Sequence, residues 1–262
     1  MPSPTTMPLW LSALFVVGVP TAIAMFGPYF VRRLVPLETL RTNNEVAGFK
    51  FAVVGVLYAV LLAFAVIVVW ERFSSSEAQV AGEAGAAATI YRLADAVPGD
   101  AGPALRQQLS DYLKDAIASD WPAMETKASA SESTTALLNG LYKEALKFSP
   151  ADARETAVLS EILHQLDLLT QARRARLVAA SGAVPGILWA VLVGGGFLTV
   201  GFTLFFAAEN LRAQSVMTGI LAFLIFSGLL VIIAIDRPFV DPVKVAPEAL
   251  SAVLKDLGGY SD

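Results

Sequence analysis

The side chains that could do chemistry are few in this sequence. Its 262 residues include no cysteine and one histidine, His164, which excludes disulfides, thiolate metal sites and metal sites built from several histidines. No Ser-His-Asp arrangement stands in a recognisable sequence context, and no acidic pair falls inside an apolar segment. The sequence therefore predicts no enzyme, no metal site and no cofactor.

Polar residues do stand at the ends of apolar segments, where they could act on passing ions. Asn43, Asn44 and Glu45 precede the second apolar segment, and Lys50 lies one turn into it. Helix capping and a lysine that reaches back to the interface would explain them. The alternative is a polar ring at the mouth of a pore. The last apolar segment ends in Asp236-Arg237, which predicts either an ion pair at the membrane boundary or a role in subunit contact or gating.

Three arginines, Arg173, Arg174 and Arg176, shortly precede the third apolar segment. They are expected to anchor the chain to anionic headgroups, or alternatively to draw anions toward a vestibule. His164 lies on a predicted soluble helix and is expected to be partly exposed, with a pH sensor as the alternative.

The elements that carry these residues follow from the composition. Hydrophobic residues make up 55% of the chain and charged residues 16%, whereas a soluble domain carries about 25% charged residues. The net charge of −4 has the wrong sign for a nucleic-acid binder. Four stretches carry no charge and are long enough to cross a bilayer. They predict four transmembrane helices near residues 8–30, 47–70, 186–208 and 215–235.

The first of these segments could instead be a signal peptide. No lysine or arginine precedes its apolar run, whereas a signal peptide has a positively charged start. We therefore expect it to be retained as a helix.

The segment between the second and third spans holds more than half of the charged residues. Apolar residues at helical spacing predict a helical soluble domain, inserted between transmembrane helices 2 and 3 of an all-α membrane protein. Within it we expect one helix to stop at Trp121-Pro122, a loop over 125–133, and a last helix that starts at Ser149-Pro150. The predicted parts are 1–71 with transmembrane helices 1 and 2, 72–180 as the soluble domain, 181–236 with helices 3 and 4, and 237–262 as a C-terminal tail.

With four spans, both termini and the soluble domain share one side of the membrane. The arginines and lysines are nearly balanced between the two sides, and their small excess favours a cytoplasmic soluble domain.

The second span has two distinct stripes. Small residues at steps of four, three and four make a smooth stripe where another helix can pack closely: Gly48, Ala52, Gly55 and Ala59. Bulky residues make another, formed by Val53, Val56, Val60 and Phe64. Helix packing alone would explain both. The functional alternative is a narrow pore lined by apolar side chains, which can gate by dewetting. A second candidate lining is Phe51, Tyr58 and Leu62, and the sequence leaves the choice open.

Several of these residues carry a family resemblance. The sequence Asn44-Glu45-Val46-Ala47-Gly48-Phe49, the run from Val56 to Phe64 and the sequence Asp236-Arg237-Pro238-Phe239 resemble the bacterial bestrophin-like domain family, which is distantly similar to bestrophin anion channels. The resemblance implies a pentamer in the bacterial inner membrane with cytoplasmic termini. It also implies a hydrophobic neck, lined by the second helix, that passes small anions.

The leading hypothesis is therefore an oligomeric ion channel whose partners are the lipid bilayer, other copies of the chain and small anions, and not nucleic acid. The alternative is a non-conducting membrane scaffold or sensor whose soluble helical domain binds a partner.

Overall fold

The computed structural model describes residues 8–42, 44–206 and 208–258, and every regular element in that part of the chain is a helix. A π-helical turn, Leu14–Gly18, interrupts the first. A second, Ala116–Asp120, joins the fourth helix to the fifth. In chain order the helices are α1 Leu9–Leu34, α2 Leu37–Thr42, α3 Asn44–Leu93, α4 Ala101–Asp115, α5 Trp121–Lys127, α6 Glu132–Lys147, α7 Ala153–Ala179, α8 Gly186–Thr203, α9 Leu211–Ile235 and α10 Glu248–Gly258.

Four of these helices, α1, α3, α8 and α9, are long and apolar enough to cross a membrane. The prediction of four apolar helices is therefore confirmed. Several of their bounds differ from expectation. Helix α1 ends at Leu34 rather than near residue 30, and α3 runs from Asn44 to Leu93 rather than from 47 to 70. Helix α8 ends at Thr203 rather than near residue 208, and α9 begins at Leu211 rather than at 215. The start of α9 is set by Asn210, whose side chain accepts hydrogen bonds from the backbone N–H groups of Arg212 and Ala213 and so caps this helix.

The chain divides into two compact units. Unit 1 comprises the described part of residues 1–71 together with Ala183–Asp236. Unit 2 comprises Arg72–Gly182 together with the described part of residues 237–262. Helix α3 contributes its residues up to Glu71 to the first unit and the rest to the second.

In unit 1, α1 packs along α9. The Ser215 hydroxyl donates to the backbone carbonyl of Met25. Gly219 lets α1 and α9 come close together at this point, because a Cβ there would lie 2.5 Å from Met25 Cγ. Close contact through small residues is the usual way in which membrane helices associate.

In unit 2, the later part of α3 and helices α4 to α7 enclose an apolar core. Its fully buried side chains include Leu109, Tyr112, Leu113, Leu141, Leu166 and Leu169. The segment after α9 also belongs to this unit. The Trp121 indole N–H donates to the Val245 carbonyl at 3.1 Å, and the Phe239 ring meets the Trp121 ring edge-on, with centroids 6.1 Å apart.

Three local predictions for the middle segment were wrong. The helix does not stop at Trp121-Pro122, because Pro122 lies in the first turn of α5, where no backbone N–H is needed. The expected loop over 125–133 shrinks to residues 128–131. Helix α7 starts after Asp152 rather than at Ser149-Pro150, because the Asp152 carboxylate accepts the N–H of Glu155 at 2.7 Å.

Candidate pore-lining helix

One face of α3 is buried within unit 1. Tyr58, Ala65 and Val69 lie on this face, at steps of seven and four residues. A helix turns about 100° per residue, so Phe51 and Leu62 share that face.

Side chains of this face contact other helices of the same chain. The Tyr58 hydroxyl donates to the Leu192 carbonyl at 2.9 Å. Its ring lies over two glycines of α8, and a Cβ at Gly195 would be 2.8 Å from Tyr58 Cδ2. Phe51 stacks on Phe202 with centroids 5.9 Å apart. The stripe of Phe51, Tyr58 and Leu62 therefore packs inside unit 1.

The opposite face of α3 carries bulky apolar side chains that are exposed in the single chain. Val56 and Phe64 each expose 63% of their surface, and Val53, Val60 and Ile67 expose about half. Val60 follows Tyr58 by two residues, which places it about 200° around the helix. These five residues form the exposed stripe of α3.

The small-residue stripe lies beside the exposed stripe. Ala52 and Ala59 are exposed, a Cβ at Gly55 would meet no atom within 4 Å, and one at Gly48 would meet Phe206 at 3.9 Å. The smooth surface predicted for helix packing thus has almost no close neighbour in the described part of the chain.

Carboxylates flank the exposed stripe at both ends. Glu45 is exposed four residues before Phe49, and Glu71 is exposed four residues after Ile67. Glu71 was not among the expected site residues, although its spacing of four from Ile67 and seven from Phe64 places it on the same face. Lys50 is also exposed, Asn44 is half-buried, and Asn43 lies outside the described residues.

Asp236 directly follows the last residue of α9 and is 8% exposed. Its Oδ1 accepts hydrogen bonds from the backbone N–H groups of Ala183 at 3.0 Å and Val184 at 2.8 Å. It thereby fixes the segment that leads into α8. Arg237, which follows it, is exposed in unit 2.

The expected headgroup anchor is wrong for two of its three arginines. Arg176 is 0% exposed, and its guanidinium binds Glu83 at 2.7 and 3.0 Å and Asp120 at 3.2 Å. Arg173 is also buried and binds Asp120 at 2.8 Å. Only Arg174 of the three is exposed. Together with Glu83 and Asp120, these two arginines form a buried ionic cluster of four residues in unit 2.

Two neighbouring aromatic residues complete the cluster. The Tyr112 hydroxyl donates to Glu83 Oε1 at 2.6 Å, and the Arg176 guanidinium lies 4.3 Å from the centroid of the Trp121 ring. Burial raises the pKa of Tyr112 well above its ordinary value, and the negative charge of Glu83 raises it further. Burial alone would lower the pKa of Arg176, but the carboxylate of Glu83 outweighs it and the pKa is raised. The arginine therefore keeps its charge inside the unit.

His164 lies on α7, and its side chain is exposed. It belongs to unit 2, whereas the exposed stripe of α3 belongs to unit 1.

Comparison with known proteins gives one family and several solved structures. The model of the family described as Bestrophin-like domain matches residues 18–250. No curated protein matches the sequence.

Among solved structures, a point mutant of a bacterial bestrophin homologue from Klebsiella pneumoniae is similar at 14% identity. The match covers 93% of this chain and 98% of that chain, with a TM-score of 0.71. Another crystal structure of that homologue matches at 13% identity, over 93% of this chain and 96% of that chain, with a TM-score of 0.68. At these identities the matches establish the fold.

Proposed function

Because the chain belongs to the Bestrophin-like domain family, we propose that it forms a homo-oligomeric ion channel in a bacterial inner membrane. The exposed stripe of α3 would line its hydrophobic neck, with Val53, Val56, Val60 and Phe64 facing the axis. The resemblance to bestrophins supports a pentamer, a cytoplasmic soluble domain inserted between the second and third spans, and small anions as the permeant ions. No catalytic role is proposed for any residue.

The observation that carries the proposal is the division of α3 into faces. Tyr58 and its neighbours pack against the same subunit, whereas the bulky stripe on the opposite side is about half to two-thirds exposed in the single chain. Beside that stripe lie Gly55 and Ala59, where the backbone of another α3 can approach closely. Copies of α3 that meet through these small residues would point the bulky stripe at a common axis.

The spacing of the stripe fits a neck of several layers. Val56, Val60 and Phe64 follow one another at four residues, which places them about 6 Å apart along the helix axis. In a closed ring of subunits they would form three successive apolar constrictions. Such constrictions exclude water and control conduction.

The carboxylates that flank the exposed stripe favour a second possibility for ion selectivity, namely selectivity for cations. Glu45 and Glu71 both lie on the face of the exposed stripe, one at each end. Rings of acidic side chains at the mouths of a pore favour cations. The same neck would then pass small cations rather than small anions.

The test is conduction by the purified oligomer in planar bilayers. Val60→Ser and Phe64→Ser should each raise unitary conductance severalfold, because a smaller polar side chain widens and hydrates the neck. Ile220→Ser alters an exposed apolar residue of α9 and should leave conductance unchanged. The reversal potential in a KCl gradient distinguishes an anion pore from a cation pore.

Two results would contradict the proposal. A wild-type current that neither Val60→Ser nor Phe64→Ser changes would place the neck on another surface. An oligomer that conducts under no voltage, pH or calcium condition would favour the scaffold or sensor instead.

A further inference from the structure

Unit 1 holds an open apolar groove between α1, α8 and α9, with a volume of about 630 Å³. Its walls run along α1 from Val19 to Val31 and include Phe197 and Gly201 of α8 and Phe226 of α9. Every lining residue is apolar, glycine or proline. All three helices are apolar enough to cross a membrane, so the groove faces hydrocarbon rather than water.

The shape of the groove depends on two glycines. A Cβ at Gly27 would lie 2.6 Å from Leu204 Cδ2, so this glycine lets α1 and α8 approach closely beside the groove. A Cβ at Gly201 would meet no atom within 4 Å, so space remains open above it. From Val19 to Val31 the groove follows α1 for about 18 Å. One leaflet of the hydrocarbon core is about 15 Å thick, and the groove therefore matches the length of one acyl chain.

A positive charge stands at one end of this groove. Arg33 is exposed and follows Phe30 by three residues and Phe26 by seven, so it lies on the same flank of α1. Its neighbour Arg32 points to the other side of the helix, where it donates to the Ala208 carbonyl and to Gln214 Oε1. Among the described residues no acidic side chain pairs with Arg33, which lies one residue before the end of the apolar helix Leu9–Leu34.

We propose that the groove binds an anionic phospholipid, with one acyl chain between α1 and α8 and the headgroup phosphate at Arg33. An apolar channel of one leaflet's length that ends in a cation matches the two parts of such a molecule. Arginine binds phosphate through parallel N–H donors, and basic pockets between membrane helices hold anionic headgroups. The site lies on helices other than α3, and its occupation does not depend on ion conduction.

Native mass spectrometry of the full-length protein tests the proposal. The protein is equilibrated in mild detergent with phosphatidylglycerol or phosphatidylcholine of the same acyl chains. The wild-type protein should retain phosphatidylglycerol at least about fivefold better, because a charge-assisted pair with arginine contributes more than about 1 kcal/mol. Arg33→Gln should abolish that preference. Gly201→Leu should reduce retention of both lipids, because the leucine fills the groove without a clash.

Each variant has a matched control. Arg212→Gln removes another exposed arginine near the membrane boundary, and Gly194→Leu adds a side chain to another open glycine of α8. Both controls should retain lipid like the wild type. Equal retention of the two lipids by the wild type, or equal effects of variants and controls, overturns the proposal. Loss of the oligomer in Gly201→Leu, with no lipid retained by the wild type, would assign the groove to a second copy of the chain.

Discussion

At the scale of single residues, the buried ionic cluster is the feature with the largest energetic consequence. Glu83 and Asp120 are balanced by Arg173 and Arg176, and all four are buried. Each charge taken out of water costs several kcal/mol unless it is paired and hydrogen-bonded. The pairs at 2.7 to 3.2 Å supply that compensation, so removal of one partner leaves an uncompensated charge.

We expect Glu83→Gln to lower the free energy of unfolding by about 3 kcal/mol or more, the usual cost of breaking a buried pair. Denaturant unfolding of the detergent-solubilised protein measures this change. Glu77→Gln alters an exposed acid on the same helix and should change stability by less than about 0.5 kcal/mol. Similar effects of the two variants would show that the cluster does not stabilise unit 2.

Asp115 gives unit 2 a dependence on acid pH. Burial raises the pKa of Asp115, but hydrogen bonds donated by Thr134, Ser133 and Ser119 outweigh burial and hold the pKa below 3.8. A carboxyl group with a lowered pKa stabilises the fold above its unfolded value. That contribution is lost as the pH falls through the folded pKa.

Thr134→Val removes the hydroxyl that lies 2.6 Å from Asp115 Oδ2. The variant should be about 1 kcal/mol less stable at neutral pH. The difference should begin to shrink as the pH falls below 3.8 and should vanish below the lowered pKa of folded Asp115, where the carboxyl group is protonated in both proteins. Unfolding measured across this pH range checks the result against the control Thr126→Val, because the Thr126 hydroxyl donates to the Pro122 carbonyl rather than to Asp115. A difference that persists unchanged in acid would contradict it.

At the scale of elements, α3 combines three surfaces on one helix. Tyr58 packs on α8, the bulky stripe is exposed, and the small stripe lies between these two surfaces with almost no close neighbour. Its apolar character could be read from the sequence because Phe51 to Trp70 carries no charge. The buried face of α3 could not be predicted from the local sequence. It depends on Gly195 and Gly196, far along the chain, which leave room for the Tyr58 side chain.

The small stripe predicts a separable effect on assembly. Gly55→Leu meets no atom of its own chain within 4 Å at Cβ, so the subunit should still fold. The added side chain should keep α3 helices of different subunits apart and weaken association by about tenfold, or ~1.4 kcal/mol. Native mass spectrometry measures the oligomer, with Gly194→Leu as the control at another open glycine. An intact oligomer in Gly55→Leu would place the subunit interface elsewhere.

The ends of helices are only partly predictable from local sequence patterns. The sequence predicts a helix stop at Pro122, but a proline in a first turn starts a helix as readily as it ends one. The sequence does not distinguish Asp152 as the cap, because Ser149-Pro150 offers the same capping pattern three residues earlier. The buried ionic cluster could not be predicted for a different reason. Glu83 and Arg176 are 93 positions apart, and no local pattern marks two distant charges as partners.

At the scale of the whole molecule, the uncharged segments determined most of what could be predicted. Four apolar helices follow from comparing the length of the uncharged segments with the thickness of the hydrocarbon core. Membrane orientation follows only from the distribution of Lys and Arg, which is nearly balanced in this chain. It is therefore the property with the weakest support in the sequence.

The absence of cysteine from the chain makes orientation directly measurable. Glu161→Cys places a thiol on an exposed position of α7, and Glu38→Cys places one on α2, between the first two spans. In intact spheroplasts, a membrane-impermeant maleimide should label the Glu38→Cys protein and not the Glu161→Cys protein. Permeabilised cells, in which both should react, serve as the control. The reverse pattern would put unit 2 outside the cytoplasm.

Unit 2 is assembled from two parts of the chain, and this arrangement orders events during synthesis. The Trp121 indole donates to the carbonyl of Val245, which is translated 124 residues later. At a translation rate of 5–20 residues per second, roughly 6 to 25 s pass between synthesis of Trp121 and synthesis of its hydrogen-bond acceptor. In that interval the ribosome makes α8 and α9. The last two apolar helices therefore leave the ribosome before unit 2 can close, and the nascent unit exposes the surface that Phe239 later covers.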